Sequence, residues 1–327
     1  MLEPASLRDL PAFRFAHATD IDAATGCTVV VAPDGATCGV DVRGGGPATR
    51  ETDLLKPENM IEKVHAVVIS GGSAFGLASS CGVMDALAER TIGFELAGMH
   101  VPIVVSACLF DLLVGAPKSD FAALGARAAE TALAGSGDAL EEGNVGAGCG
   151  ATVGKMLLPE QAMKSGLGVA GVKANDLVIC AIVAVNALGQ VRSADGTWIA
   201  GCHDANRVMD PLEVVAARAG MAAAASEGAQ ASCTNTTLGI VATNADITKA
   251  QATKVASTTH DAYARAIKPV HTSNDGDTIF TIASGDVPAD VDTVSILAAE
   301  AMQQAIERAI TEARGAYGLP CAGDLAR

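Results

Sequence analysis

A series of apolar runs rich in Val and Ile, separated by Ala-rich segments of helical period, constrains the fold of this 327-residue chain more than any other feature. That alternation is the pattern of a mixed α/β protein. Val67-Val68-Ile69 runs into Ser70-Gly71-Gly72-Ser73 and reads as a strand ending in a glycine turn, followed by a helix over Ala74–Arg90. Further strands are expected over Val101–Ala107, Gly166–Val172, Asp176–Ala187, Leu238–Thr243 and Thr278–Ala283. Helices are expected over Asp120–Leu133, over Asp246–Ile267 with Asp246 as its cap, and over Val291–Arg314. Cys27–Ala32 and Thr37–Val42 flank Pro33-Asp34-Gly35 and read as a hairpin. Residues 216–231 are nearly all Ala, Gly and Ser, and read as a helix or a surface segment. Half of the residues are hydrophobic but only 3% are aromatic, so the core is built from Ala, Val, Ile and Leu, which suits close helix-on-sheet layers. Length alone allows two domains of about 150 residues or one large α/β domain.

The formal charge of −15 opposes binding to a phosphate backbone, which needs clustered Lys and Arg. Nine cysteines are spread along the chain with no CxxC pair, several of them inside apolar runs, where thiols act as small hydrophobes. The N-terminal residues show no basic segment leading into an apolar one, and no apolar stretch reaches the ~18 to 20 residues that a membrane span needs. The expectation is a cytoplasmic protein, with neither nucleic acid nor membrane as a partner. Six histidines show no metal-binding pair, so no metal and no cofactor are expected, although His271 lies close to two aspartates. The glycine-rich stretch Glu142–Lys155 resembles a phosphate loop only superficially, because Gly154-Lys155 is followed by Met156-Leu157-Leu158 instead of Ser or Thr.

Three polar groups stand out against this apolar background. The first is Asn235-Thr236-Thr237, set hard against the run LGIVAT. Such a group also suits an ordinary loop-to-strand junction, since Asn favours turns and Thr favours strands. The chemical reading is that a cut between Asn235 and Thr236 would give Thr236 a free α-amine, whose unperturbed pKa is about 7.7 to 8.0. That amine would serve as a built-in base for the threonine hydroxyl. Before cleavage, the same hydroxyl can attack the Asn235 carbonyl. The second group is Asn274-Asp275-Gly276-Asp277, where two carboxylates at a strand entrance can hold an ammonium and a hydroxyl, or simply form a turn. The third is Lys155 with Asn186, a lysine beyond the glycine-rich stretch and an asparagine inside ICAIVAVNA. An asparagine amide can donate to an oxyanion, and a lysine can lower the pKa of a neighbouring amine. Taken singly, both also suit structural roles.

Taken in order, VDVRGGGPATRETDLL, HAVVISGGSAFGL, EGNVGAGCGATVGK, NTTLGIVATNA and HTSNDGDTIF resemble one family. It is the self-processing group that includes L-aminopeptidase/D-esterases, β-aminopeptidases and endo-type nylon-oligomer hydrolases. The resemblance implies a four-layer α/β/β/α sandwich of N-terminal nucleophile hydrolase type. It also implies one catalytic domain, processed into an α chain, 1–235, and a β chain, 236–327. Relatives assemble as tetramers of that αβ unit, so a homo-oligomer is expected. Asn before Thr at the cut is closest to the nylon-oligomer branch. There, the positions matching Lys155, Asn186, Asp275 and Asp277 surround the nucleophile matching Thr236. Relatives also place a tyrosine near the pocket from the α chain, whereas Tyr263 and Tyr317 both follow the cut here and Phe110 is the candidate for that place. The implied activity is hydrolysis of linear amides, in a small peptide with a free N-terminal residue or in a 6-aminohexanoate-type oligomer, through an acyl-enzyme on Thr236. Other readings are an acyltransferase of the ornithine acetyltransferase type and a scaffold that keeps the fold without the chemistry.

Overall fold

The computed structural model describes residues 2–116, 119–135, 140–204, 207–224 and 235–325. Eight principal strands build it: β1 (Arg14–Asp20), β2 (Thr25–Val42), β3 (Val64–Ser70), β4 (Val104–Cys108), β5 (Leu167–Ala174), β6 (Leu177–Asn186), β7 (Thr236–Asp246) and β8 (Thr278–Pro288). The main helices are α1 (Ser79–Ala88), α2 (Phe121–Leu133), α3 (Pro211–Ala224), α4 (Lys249–Ala266) and α5 (Val291–Thr311).

The 18-residue strand β2 belongs to two sheets. Its first half, Thr25–Val31, pairs with β1 and β3, and β3 pairs in parallel with β4. Its second half, Thr37–Val42, pairs with β8, and the order continues β8, β7, β6, β5. Within that second sheet β7 and β8 run parallel, while β6 and β7 run antiparallel. Pro33-Asp34-Gly35 is therefore not a hairpin reversal. Gly35 takes φ 71° and the pairing with β3 shifts register between Val31 and Ala36, but the strand runs on and crosses from one sheet to the other.

The continuous apolar runs are explained by strands covered on both faces. Along β6, Val178, Cys180, Ile182 and Ala184 point into the layer between the sheets, where they join Val67, Ile69, Leu238, Ile240 and Phe280. Ile179, Ala181, Val183 and Val185 point the other way, towards α4 and α5. The first sheet is covered on its outer face by α1 and α2. The four layers are thus α4/α5, the β5–β8 sheet, the β1–β4 sheet and α1/α2, the α/β/β/α sandwich that the resemblance implied. Ala298, Ala301, Ala305 and Ala309 on the buried side of α5 allow close approach to the sheet without aromatic filling. α3 covers the first part of the Ala-rich stretch; the expectation for 225–231 lies outside the described residues. No described helix is long and apolar enough to cross a membrane.

Candidate active site

Thr236 opens β7 and pairs directly with Asn186, the last residue of β6. Even-numbered residues of both strands face the layer between the sheets, so the two side chains meet at one end of that layer. Both are buried, Thr236 at 4% exposure and Asn186 at 0%. The Thr236 hydroxyl donates to the carbonyl of Asn235, the residue immediately before it. The same carbonyl accepts the Gly276 N–H at 3.0 Å, because Asn235 and Asp275 form a parallel bridge that sets the two segments side by side. A side chain at Gly276 would bring a Cβ to 2.7 Å from the Thr236 hydroxyl, so the position is compatible only with glycine in this arrangement.

The glycine-rich stretch supplies the other wall. Asn186 Oδ1 accepts from Lys155 Nζ at 2.7 Å, from the Thr152 N–H at 3.1 Å and from the Thr152 hydroxyl at 3.3 Å. Lys155 Nζ also donates to the Asn186 carbonyl at 3.1 Å, and the Asn186 amide donates to the Phe110 carbonyl at 2.8 Å. With Oδ1 facing these donors, the amide nitrogen of Asn186 is fixed on the opposite side. Burial brings the Lys155 ammonium down to about 7, against the pull of Asp275, so this lysine exchanges its proton near neutrality.

Asp275 and Asp277 hold different hydrogen-bond partners. Asp277 points to the helix side of the sheet, where Oδ1 takes the Thr237 N–H at 2.7 Å and Oδ2 takes the His271 N–H at 3.1 Å and His271 Nδ1 at 2.8 Å. Asp275 Oδ2 takes the Thr272 N–H at 2.7 Å, and its carboxyl is raised above the usual range by burial and by the Asp277 charge. Neither carboxylate accepts from the Thr236 hydroxyl, which donates to the Asn235 carbonyl. The turn that carries them is clamped by Arg43-Gly44-Gly45-Gly46. Gly46 N–H donates to the Asp275 carbonyl at 2.8 Å and Arg43 N–H to the Asp277 carbonyl at 2.9 Å. A Cβ on Gly44 would overlap the Asp275 carbonyl, which accounts for a glycine there.

Beside Lys155 opens a cleft of about 340 Å³, lined by Phe110, Asp111, Leu113, Leu157, Tyr317 and Leu319 among others. Phe110 therefore does line the cleft, as the missing tyrosine would, but without a hydroxyl. A tyrosine hydroxyl reaches the same cleft from Tyr317, which donates to the Ile21 carbonyl at 2.8 Å. Tyr263 lies buried on the helix side of β7. Burial raises the Asp111 carboxyl to about 6, while the Thr25 hydroxyl and the Gly72 N–H donate to it at 2.7 Å each.

The structure thus brings Asn235, Thr236, Asn186 and Lys155 together around one peptide bond, with Asp275 and Asp277 on the turn behind it. Sequence reasoning passed over Gly276, Thr152 and the Gly44–Gly46 clamp. The only signals for them were glycine and threonine within longer motifs.

Known proteins resemble this chain in both sequence and fold. The chain is 41% identical over 289 residues to an uncharacterised aminopeptidase of Mycobacterium leprae, covering 84% of this chain and 76% of the relative. It is 29% identical over 280 residues to a 6-aminohexanoate-oligomer endohydrolase of Paenarthrobacter ureafaciens, covering 85% and 75%. In fold it is similar to a Burkholderia β-aminopeptidase, with TM-score 0.67, 20% identity and coverage of 99% and 94%. It is likewise similar to the L-aminopeptidase D-Ala-esterase/amidase of Ochrobactrum anthropi, a variant of the Ntn hydrolase fold, with TM-score 0.65, 16% identity and coverage of 97% and 89%. Peptidase family S58 matches residues 5–319; the chain belongs to that family and is a hydrolase of amide bonds.

Proposed function

We propose that the chain is a self-processing amidohydrolase whose nucleophile is Thr236, released as a new N-terminus by its own hydroxyl. The observation that carries this reading is the pair of contacts on the Asn235 carbonyl: the Thr236 hydroxyl beside it and the Gly276 N–H on its oxygen at 3.0 Å. In the first step Thr236 Oγ1 bonds to the Asn235 carbonyl carbon, and negative charge collects on the oxygen that the Gly276 N–H already meets. The hydroxyl proton passes to the Thr236 nitrogen as the C–N bond breaks, leaving an ester. Water then hydrolyses the ester to an Asn235 carboxylate and a free Thr236 α-amine. The products are an α chain of 1–235 and a β chain of 236–327, which together form one catalytic unit.

In the mature enzyme that amine takes the proton of the Thr236 hydroxyl as it attacks a substrate amide, and later gives it to the leaving amine. Asn186 offers its side-chain amide to the developing oxyanion, oriented by Lys155 and Thr152 on its other end. Lys155, with its ammonium near 7, adds little positive charge beside the new amine above neutrality. Asp277 fixes the backbone directly after the nucleophile, and Asp275 stands on the same turn. Substrates are linear amides, either the N-terminal residue of a small peptide or a 6-aminohexanoate-type oligomer, and the apolar cleft beside Lys155 suits the acyl part of both. The test is to assay wild type and Thr236→Ala on a free-amine peptide anilide and on an aminohexanoate oligomer. Wild type should cleave at least one of them, whereas Thr236→Ala should stay whole and inactive. Hydrolysis by Thr236→Ala at the wild-type rate would refute the reading.

A further inference from the structure

We propose that His271 is a positioning residue for the nucleophile, acting through Asp277; the proposal rests on Thr236 being that nucleophile. Asp277 links the two. Its Oδ1 takes the N–H of Thr237, the peptide group next to Thr236, and its Oδ2 takes His271 Nδ1 at 2.8 Å. A carboxylate offers only lone pairs, so the ring nitrogen that meets it carries the proton. The imidazole thus fixes one oxygen of Asp277 while the other holds the start of β7.

The ring itself is held from α4. Its centroid lies 4.7 Å from that of His260, edge to face at 73°, and 6.1 Å from that of Tyr263. His260 is fixed in turn by its Nε2 against the Asp41 carbonyl at 3.2 Å and by Tyr263, whose centroid lies 5.1 Å away. The backbone of His271 adopts φ 55°, a left-handed conformation uncommon outside glycine but one that histidine, like Asn and Asp, takes more readily than most residues.

Packing alone would not select histidine here. His271 Nε2 is buried with no hydrogen-bond partner among the described residues, as are the Tyr263 hydroxyl and the Thr237 hydroxyl. An orphaned ring nitrogen costs desolvation energy that an apolar ring would avoid. What the imidazole gains in return is the Nδ1–H bond to Asp277. Without that bond Oδ2 keeps only the longer contact to the His271 N–H at 3.1 Å, so the carboxylate is held less firmly, the Thr237 N–H has a less fixed acceptor, and the Thr236 hydroxyl drifts from its line of attack.

Three variants separate this role from simple filling. His271→Gly accepts φ 55° and removes the ring, while His271→Asn tolerates the same backbone and places a side-chain N–H near the position of Nδ1. His271→Gln places its N–H near Nε2 instead, away from Asp277. His271→Asn should process and turn over within about threefold of wild type, while His271→Gly and His271→Gln should lose about 10- to 100-fold in processing rate and kcat, with KM within about twofold. Wild-type rates in His271→Gly, or equal losses in His271→Asn and His271→Gln, would overturn the role. If His271→Gly does not fold, the comparison of Asn with Gln still decides. Thr236→Ala, assayed alongside, keeps the two ideas apart. Activity in Thr236→Ala sinks the nucleophile assignment, whereas an inactive Thr236→Ala beside a fully active His271→Gly sinks only the positioning role.

Discussion

At the scale of single residues, the site depends on a missing side chain as much as on those present. Gly276 gives its N–H to the Asn235 carbonyl and leaves room for the Thr236 hydroxyl. In Gly276→Ala the added methyl, 2.7 Å from that hydroxyl, must displace it. Overpacking of this kind costs about 1 to 3 kcal/mol, so self-cleavage should slow by about tenfold or more while the fold persists. A time course of fresh protein on denaturing gels measures this, and wild-type kinetics would show that the hydroxyl does not attack from its present place. Thr236, Asn186, Asp275 and Asp277 stand out in the sequence as polar residues inside a strand or at its entrance, and Lys155 as a lysine directly beyond the glycine-rich stretch. Gly276 was legible only as part of a turn, because a backbone N–H has no side chain to betray it. The separate duties of Asp275 and Asp277 were not legible at all, since they depend on Thr272, His271 and the Gly44–Gly46 clamp folding back on the turn.

At the scale of elements, the apolar runs identified the strands well because most are covered on both faces, which leaves little ambiguity in the pattern. Boundaries moved where tertiary pairing extended an element. β7 runs on to Asp246, which pairs with Pro288, so the residue expected to cap α4 is a strand residue. Thr248 caps the helix instead, accepting the Gln251 N–H at 3.3 Å, while the Gln251 side chain reaches back to the Thr248 N–H at 2.9 Å. Thr248→Ala should lower stability by about 1 kcal/mol and leave processing and hydrolysis unchanged. Chemical denaturation beside an activity assay checks it, and a loss of activity without loss of stability would tie this cap to the site. The Pro33-Asp34-Gly35 signal misled for a related reason: local turn chemistry was overridden by a strand that has to serve two sheets.

At the scale of the whole molecule, the proposed cut would fall where the fold can tolerate it. β7 lies between β6, which precedes the cut, and β8, which follows it, and β8 pairs with β2. A chain released by that cut would therefore remain hydrogen-bonded on both sides to the segment before it, and is expected to stay in place.

Buried ionisable groups also set a pH profile for stability. The ammonium groups of Lys155 and Lys164 are brought to about 7 by burial, from an ordinary 10.5. Between those values the unfolded chain binds protons that the folded chain does not, so stability rises with pH, by up to about 1.4 kcal/mol per unit for each lysine. The buried thiols of Cys27 and Cys180 are pushed up to about 12 and that of Cys202 to about 11, from 9, and burial raises Cys38 and Cys108 as well, so above pH 9 the unfolded chain gives up these protons first; five thiols outweigh two lysines and stability falls. Urea midpoints should rise from pH 7 to about 9 and drop beyond it; a midpoint falling across that first interval would contradict the burial of the two lysines.

Self-cleavage between Asn235 and Thr236 is checked by mass spectrometry of the freshly purified, active protein, first under native conditions and then denatured. The expected result is one native particle that separates on denaturation into a chain ending at Asn235 and a chain beginning at Thr236. A fully active preparation consisting only of the unbroken 327-residue chain would contradict it.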